Sequence, residues 1–253
     1  MKKTLFAVAL LASSSAFAMD VSHPFYVPMK GDVLSETETA YINVEHSERE
    51  SAILAETLSY GVTRNFSVNA TIADTWLFDE PGVKGHDQFD NPEWGVGMKY
   101  NLVDCCKTNW KLQLGVDYEQ GGNSHHDKEF SAYAMTGYQM GRFLPYVTVG
   151  GYKPVGKYQN NPGLTTRAAL NTALSKKVNF DFGGTYDWDG ATRKPEDNPD
   201  GVGKHRSMWM LDATLNYVFS DCMSVGLTGE YMLRTKPEDV DAYSVGVNFK
   251  VAF

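Results

Sequence analysis

Residues 110–120 read Trp110-Lys111-Leu112-Gln113-Leu114-Gly115-Val116-Asp117-Tyr118-Glu119-Gln120. From Trp110 to Tyr118 every second position is apolar or aromatic, and the positions between are small, polar or charged. A period of two is the signature of a strand with one apolar and one polar face. The same pattern recurs. Val178, Phe180, Phe182, Gly184, Tyr186 and Trp188 alternate with Asn179, Asp181, Gly183, Thr185 and Asp187. Trp209, Leu211, Ala213, Leu215, Tyr217 and Phe219 alternate with Met210, Asp212, Thr214, Asn216 and Val218. At the end of the chain Tyr243, Val245, Val247, Phe249, Val251 and Phe253 alternate with Ser244, Gly246, Asn248, Lys250 and Ala252.

Outward from these, twelve segments alternate: 36–46, 51–62, 66–77, 92–102, 110–120, 129–139, 143–153, 163–174, 178–188, 206–219, 223–234 and 240–253. Each is about as long as the 9–11 residues that a tilted membrane-crossing strand needs, and longer than the roughly 5–6 of an ordinary soluble strand. The first two are the least regular. Glu56 stands among Leu54, Leu58 and Tyr60, which predicts a bulge or a slipped register there. Short turns at 63–65, 140–142, 175–177 and 220–222, with a slightly longer one at 103–109, join strand pairs on one side. Most connectors on the other side are longer: 78–91, 121–128, 154–162 and 189–205. Short turns at one end and longer loops at the other are the asymmetry of an outer-membrane barrel, and an even strand count puts both termini at the turn end.

The chain of 253 residues has a formal net charge of −8, which argues against a nucleic-acid partner. Lys2 and Lys3, the apolar run from Leu5 to Leu11 and the A-x-A site Ala16-Phe17-Ala18 form an export signal. Cleavage after Ala18 leaves a mature chain from Met19 and removes two lysines, making the protein more acidic. No later stretch approaches the roughly 18 apolar residues of a membrane helix.

The final strand, Ser244-x-Gly246-x-x-Phe249-x-Val251-x-Phe253, resembles the C-terminal signal read by the barrel-assembly machinery. With the export signal and the alternation, the chain resembles a Gram-negative outer-membrane β-barrel. The resemblance implies an all-β, up-and-down antiparallel barrel over 35–253, an outer-membrane location, lipid and lipopolysaccharide around it, the assembly machinery as a partner during biogenesis, and no cofactor. Aromatics gather at segment ends, as interfacial girdles do: Tyr60, Phe66, Tyr100, Trp110, Phe143 and Phe249 at the turn end, and Trp76, Trp94, Tyr118, Trp188 and Trp209 at the other.

The polar faces then point inward. Lys99, Lys111, Asp117, Arg167, Asp181, Asp212, Glu230, Arg234 and Lys250 are the candidate pore-lining charges, with Asn43, Asn101, Asn171, Asp187 and Asn248 beside them. Eight strands enclose a packed interior and sixteen to eighteen an open channel, so twelve allows either. The expected function is a passive, porin-like channel for small polar solutes or ions. The alternatives are a non-conducting structural or surface-interaction barrel and, third, an outer-membrane enzyme.

Chemistry on the loops is sparse. All six histidines (His23, His46, His86, His125, His126, His205) lie outside the strands or at their rims. Ser124 beside His125 is the best nucleophile–base pair, but adjacent loop residues do not face each other. His86, Asp87, His125 and His126 do not have a zinc-site spacing. Cys105 and Cys106 share one turn and Cys222 another, and three cysteines cannot all pair. The segment 19–34 carries Pro24 and Pro28, which argue against a strand; it is expected either to hang in the periplasm or to enter the lumen as a plug.

Overall fold

The computed structural model describes residues 20–44, 49–78, 92–103, 108–121, 128–155, 162–189, 206–235 and 241–253. They form a closed antiparallel barrel of twelve strands in sequence order. The strands are β1 (Val33–Val44), β2 (Arg49–Thr63), β3 (Phe66–Phe78), β4 (Glu93–Asn101), β5 (Trp110–Gln120) and β6 (Lys128–Tyr138). They continue with β7 (Phe143–Val155), β8 (Gly163–Ala173), β9 (Val178–Asp189), β10 (Arg206–Ser220), β11 (Met223–Thr235) and β12 (Ala242–Ala252). β1 closes on β12 along its length, from Leu34 opposite Ala252 to Val44 opposite Ala242. Closure pairs β1 with β12, so the sheet has no free edge strand.

Alternation decides which rows face inward. In β5, Lys111 and Gln113 are 6% and 1% exposed, whereas Leu114 and Val116 are 41% and 42% exposed. The polar row is therefore the buried one, the reverse of a soluble sandwich and the arrangement of a barrel whose outer surface meets lipid. Around the outside run pairs of rings on neighbouring strands, such as Trp94 with Tyr118 (5.5 Å) and Trp110 with Tyr138 (5.1 Å).

The β6–β7 connection shows why the turns are short. Met140 and Phe143 exchange both backbone hydrogen bonds, at 2.7 and 3.0 Å, around Gly141-Arg142. Gly141 has φ 59°, the left-handed conformation that two-residue hairpin turns require.

Three expectations need correction. β1 begins at Val33, so the barrel starts two residues before position 35. The register of β2 runs unbroken past Glu56, opposite Thr37 and Ile72, and its irregularity falls between Gly61 and Thr63. Glu56 stays in register because the Ser35 and Thr37 hydroxyls donate to its carboxylate at 2.6 and 2.5 Å, holding it on the outer face. Asn43 also lies on the outer row, opposite Glu50 and Tyr243, where it donates to the Glu50 carboxylate at 3.3 Å instead of lining the lumen.

Candidate functional site

The lumen divides into a turn-end half and a loop-end half. The turn-end half is occupied by the chain's own N-terminal segment. Residues 20–28 form no strand and are buried inside the wall, with Phe25 at 0% and His23 at 3% exposure. Phe25 sits among the inward side chains Met135, Leu144 and Tyr146, meeting the Tyr146 ring edge-on at 6.2 Å. Asn101 on β4 donates to the Phe25 carbonyl at 2.9 Å, and Asn179 on β9 donates to Ser22 Oγ at 3.1 Å. Val21 N donates to the Asp221 carbonyl, in the β10–β11 turn, at 3.2 Å. These anchors lie on separate parts of the wall, so the segment crosses the mouth.

It leaves the lumen over β2. A Cβ on Gly61 would lie 1.9 Å from the Met29 carbonyl oxygen and 2.5 Å from that of Pro28, so only glycine admits the backbone there. Gly31 and Gly61 then hold the crossing: Gly31 N donates to the Gly61 carbonyl at 2.8 Å, and Gly61 N to that of Asp32 at 3.0 Å.

Within the segment, Ser22 donates through its backbone N (2.8 Å) and its hydroxyl (2.5 Å) to Asp20 Oδ1, and Phe25 N donates to His23 Nδ1 at 3.2 Å. Burial holds the His23 imidazole down at about 3, with the Lys111 cation adding to the effect. Burial raises the Asp20 carboxyl above its usual range, and burial with nearby Asp32 pushes the Tyr26 phenol up to about 12.

Just beyond the segment stands an ion cluster. Arg167 on β8 is 2% exposed and pairs with Asp181 at 2.7 Å and Asp212 at 2.5 Å. It also donates to the Tyr146 hydroxyl, which in turn donates to the Asp181 carboxylate at 2.9 Å. Tyr146 thus touches Phe25 with its ring and the ion cluster with its hydroxyl.

The loop-end half is different. Glu93, Glu119 and Glu129 lie on the inward rows of β4, β5 and β6, with Glu119 and Glu129 directly opposite each other. Across the lumen, β10 and β11 contribute the buried methionines Met208, Met210 and Met232. Glu230 accepts from Ser244 Oγ at 3.0 Å on this side, whereas the Glu36–Lys250 pair, at 2.6 Å, lies at the turn end. Along the wall as a whole, Thr148, Thr185 and, towards the turn end, Asn216 and Ser224 have buried side-chain polar atoms without a partner among the described residues. Such groups are satisfied by water.

Of the sequence candidates, Arg167, Asp181 and Asp212 come together in one cluster. Lys99 and Asp117 face inward on neighbouring strands, and a Cβ on Gly97 between them would meet Asp117 Oδ1 at 1.9 Å. Lys111 lies near the turn end, donating to the Thr108 carbonyl at 3.0 Å. Glu230 and Lys250 lie on β11 and β12, each with the partner given above. The Arg234 side chain, Ala16, Ala18, Cys105, Cys106, His46, His86, Asp87, Ser124, His125, His126 and His205 lie outside the described residues. Cys222 is a free, exposed thiol. Gly246 faces inward against the Thr39 carbonyl, Phe249 and Val251 lie on the outer row, and Phe253 is 72% exposed at the end of the chain.

Sequence reasoning missed Tyr146, Leu144 and Met135, because a ring or aliphatic chain inside a polar lumen has no signal in the alternation. It also passed over Glu93, Glu119 and Glu129, whose inward parity was legible in segments 92–102, 110–120 and 129–139.

No protein-family model and no curated protein sequence matches the chain. Solved structures with a similar fold include a COG4313 outer membrane channel from Pseudomonas putida F1 (TM-score 0.67, 9% identity, 90% of this chain and 97% of that one). They also include the NanC porin (TM-score 0.58, 10% identity, 84% and 98%) and the KdgM porin in complex with disordered oligogalacturonate (TM-score 0.54, 10% identity, 85% and 98%). At identities this low the likeness is one of fold.

Proposed function

We propose that the chain is a passive outer-membrane channel for small polar solutes, favouring cations, whose turn-end mouth is held shut by residues 20–28. The observation that carries this reading is the polar, water-accepting lumen with its Glu93–Glu119–Glu129 wall. Rings of carboxylates favour cations and repel anions. The KdgM porin is described with oligogalacturonate, a polyanion; the acidic wall here argues against that cargo. The apolar outer rows and their aromatic girdles support placement in a membrane, and the basic head, apolar run and Ala16–Ala18 site support export. The exposed final Phe253 with Gly246, Phe249 and Val251 supports a role in barrel assembly, and the apolar exterior supports contact with lipid and lipopolysaccharide.

The seated N-terminal segment favours a second reading, a non-conducting barrel. Single-channel conductance of the mature protein in a planar bilayer separates the two when Gly61→Ala is recorded beside the parent. Placing a Cβ where Met29 and Pro28 carbonyls lie displaces the segment without altering the acidic wall. The channel reading expects small or rare steps from the parent and larger, salt-dependent steps from Gly61→Ala. Silence from both folded proteins supports the non-conducting barrel.

A further inference from the structure

We propose that the outer face of β1 and β2 is a contact surface for a second copy of this chain, the two barrels being related by a two-fold axis along the membrane normal. The inference rests on the membrane placement proposed above.

On β12 the outward row is Tyr243, Val245, Val247, Phe249 and Val251, with Val245 51% and Val247 45% exposed. Its hydrogen-bonded neighbour β1 presents Ser35, Thr37, Thr39, Tyr41 and Asn43 on the same surface. Next to them on β2, Glu56 stands midway along the strand between the exposed Leu54 and Leu58. Glu56 accepts from Ser35 and Thr37, and Asn43 donates to Glu50. On β3, Asp74 shares this surface opposite Leu54, and its buried Oδ2 has no partner among the described residues. Among the described residues no other strand carries a carboxylate on its outer row between the aromatic girdles.

Acyl chains offer no hydrogen bonds, so a polar row at this depth is unfavourable against lipid. Two features commit the occupant to a second copy. Hydroxyls and the Asn43 amide both donate and accept, so the row is complementary to itself. A two-fold axis along the normal sets each residue beside its own counterpart at equal depth, so hydroxyl row meets hydroxyl row and apolar belt stays against lipid. On β1 the contact row is small from Ser35 through Thr37 to Thr39, and Ala52 stands beside it on β2. That lets the backbones approach closely, as membrane interfaces require.

The test uses the mature chain in phosphatidylcholine vesicles, with Cys105, Cys106 and Cys222 replaced by serine and a single new cysteine at Thr39→Cys or, on the far side of the barrel, at Val147→Cys. After mild oxidation, Thr39→Cys is expected to give mostly disulfide-linked dimer, at least five-fold more than Val147→Cys, and to keep that yield on ten-fold dilution with lipid. Equal yields, or a yield that falls away on dilution, overturn the proposal. Adding Glu56→Leu to Thr39→Cys is expected to lower the dimer yield several-fold; an unchanged yield overturns the role of the polar row. Heat-dependent gel mobility of the same samples reads insertion separately, so a chain that never enters the membrane is recognised as a failure of the membrane placement itself.

Discussion

The two halves of the lumen are built from the same alternating strands yet have opposite characters. In the turn-end half the inward row is met by residues 20–28, and Phe25, Leu144 and Tyr146 pack as tightly as a soluble core, at 0%, 1% and 2% exposure. In the loop-end half Glu119 stands directly opposite Glu129 on the neighbouring strand. The wall alone sets polarity; what lies against it sets whether that polarity is sealed or wetted. Arg167 stands at the boundary, with its ions paired and its Tyr146 partner reaching into the packed half.

The largest effect is expected at that boundary. Arg167→Ala leaves Asp181 and Asp212 without their cation in a buried site, and loss of one partner of a buried pair costs about 3–5 kcal/mol. Urea unfolding in vesicles should show a drop of that order. A drop under about 1 kcal/mol would mean the boundary is as wet as the loop end.

Phe25→Ala removes the ring from the Met135–Leu144–Tyr146 pocket. Aromatic-to-alanine changes in packed sites cost roughly 3–5 kcal/mol, but here the loss falls on the seating of the segment and not on the barrel. Conductance should rise and protease should cut the released segment, while the barrel's unfolding midpoint stays nearly fixed.

Acidification should separate the halves further. The seated His23 titrates at about 3 against an ordinary 6.5, so below pH 6.5 the released segment binds a proton that the seated one does not. Seating is therefore strongest above pH 6.5 and weakens as pH falls, levelling off near 3. At about 1.36 kcal/mol per unit, pH 5 costs roughly 2 kcal/mol. Asp20, raised by burial, acts in the opposite sense, its contribution being present at low pH and lost as pH rises through its raised value. Protease sensitivity of the segment measured between pH 7 and 5 should increase, and His23→Asn should flatten the profile. A profile unchanged by that substitution would remove His23 from control of the seat.

The smallest effect on stability is expected at the loop end. Glu119→Gln replaces one carboxyl of a facing cross-strand pair by a neutral isostere, a change worth under about 1 kcal/mol, yet in alkaline buffer, where both carboxyls ionise, it should shift the reversal potential toward lower cation preference. An unshifted potential would take the acidic wall out of the conduction path.

Parts of this picture were legible before any coordinates. The rows through Trp110, Val178, Trp209 and Tyr243 carried the period, and β4 to β12 follow their segments closely. β1 and β2 were the hardest to read because the outer row of β1 is polar and that of β2 is interrupted by Glu56. The pattern at Glu56 looked like a register fault, since strand parity carries no information about the hydroxyls that Ser35 and Thr37 would bring from another strand. The seat of Phe25 was equally invisible: Pro24 and Pro28 excluded a strand but did not say where the segment lies.

The sequence by itself determined the strand number, the inward and outward rows of the regularly alternating strands and the shared end of both termini, because these follow from a local period of two and from loop length. Only the tertiary structure decided that Arg167, Asp181, Asp212 and Tyr146 meet, that Gly61 lets the N-terminal segment in, and that β1 turns hydroxyls outward. Those contacts join residues distant in sequence through the closure and register of the barrel, and no local periodicity encodes them.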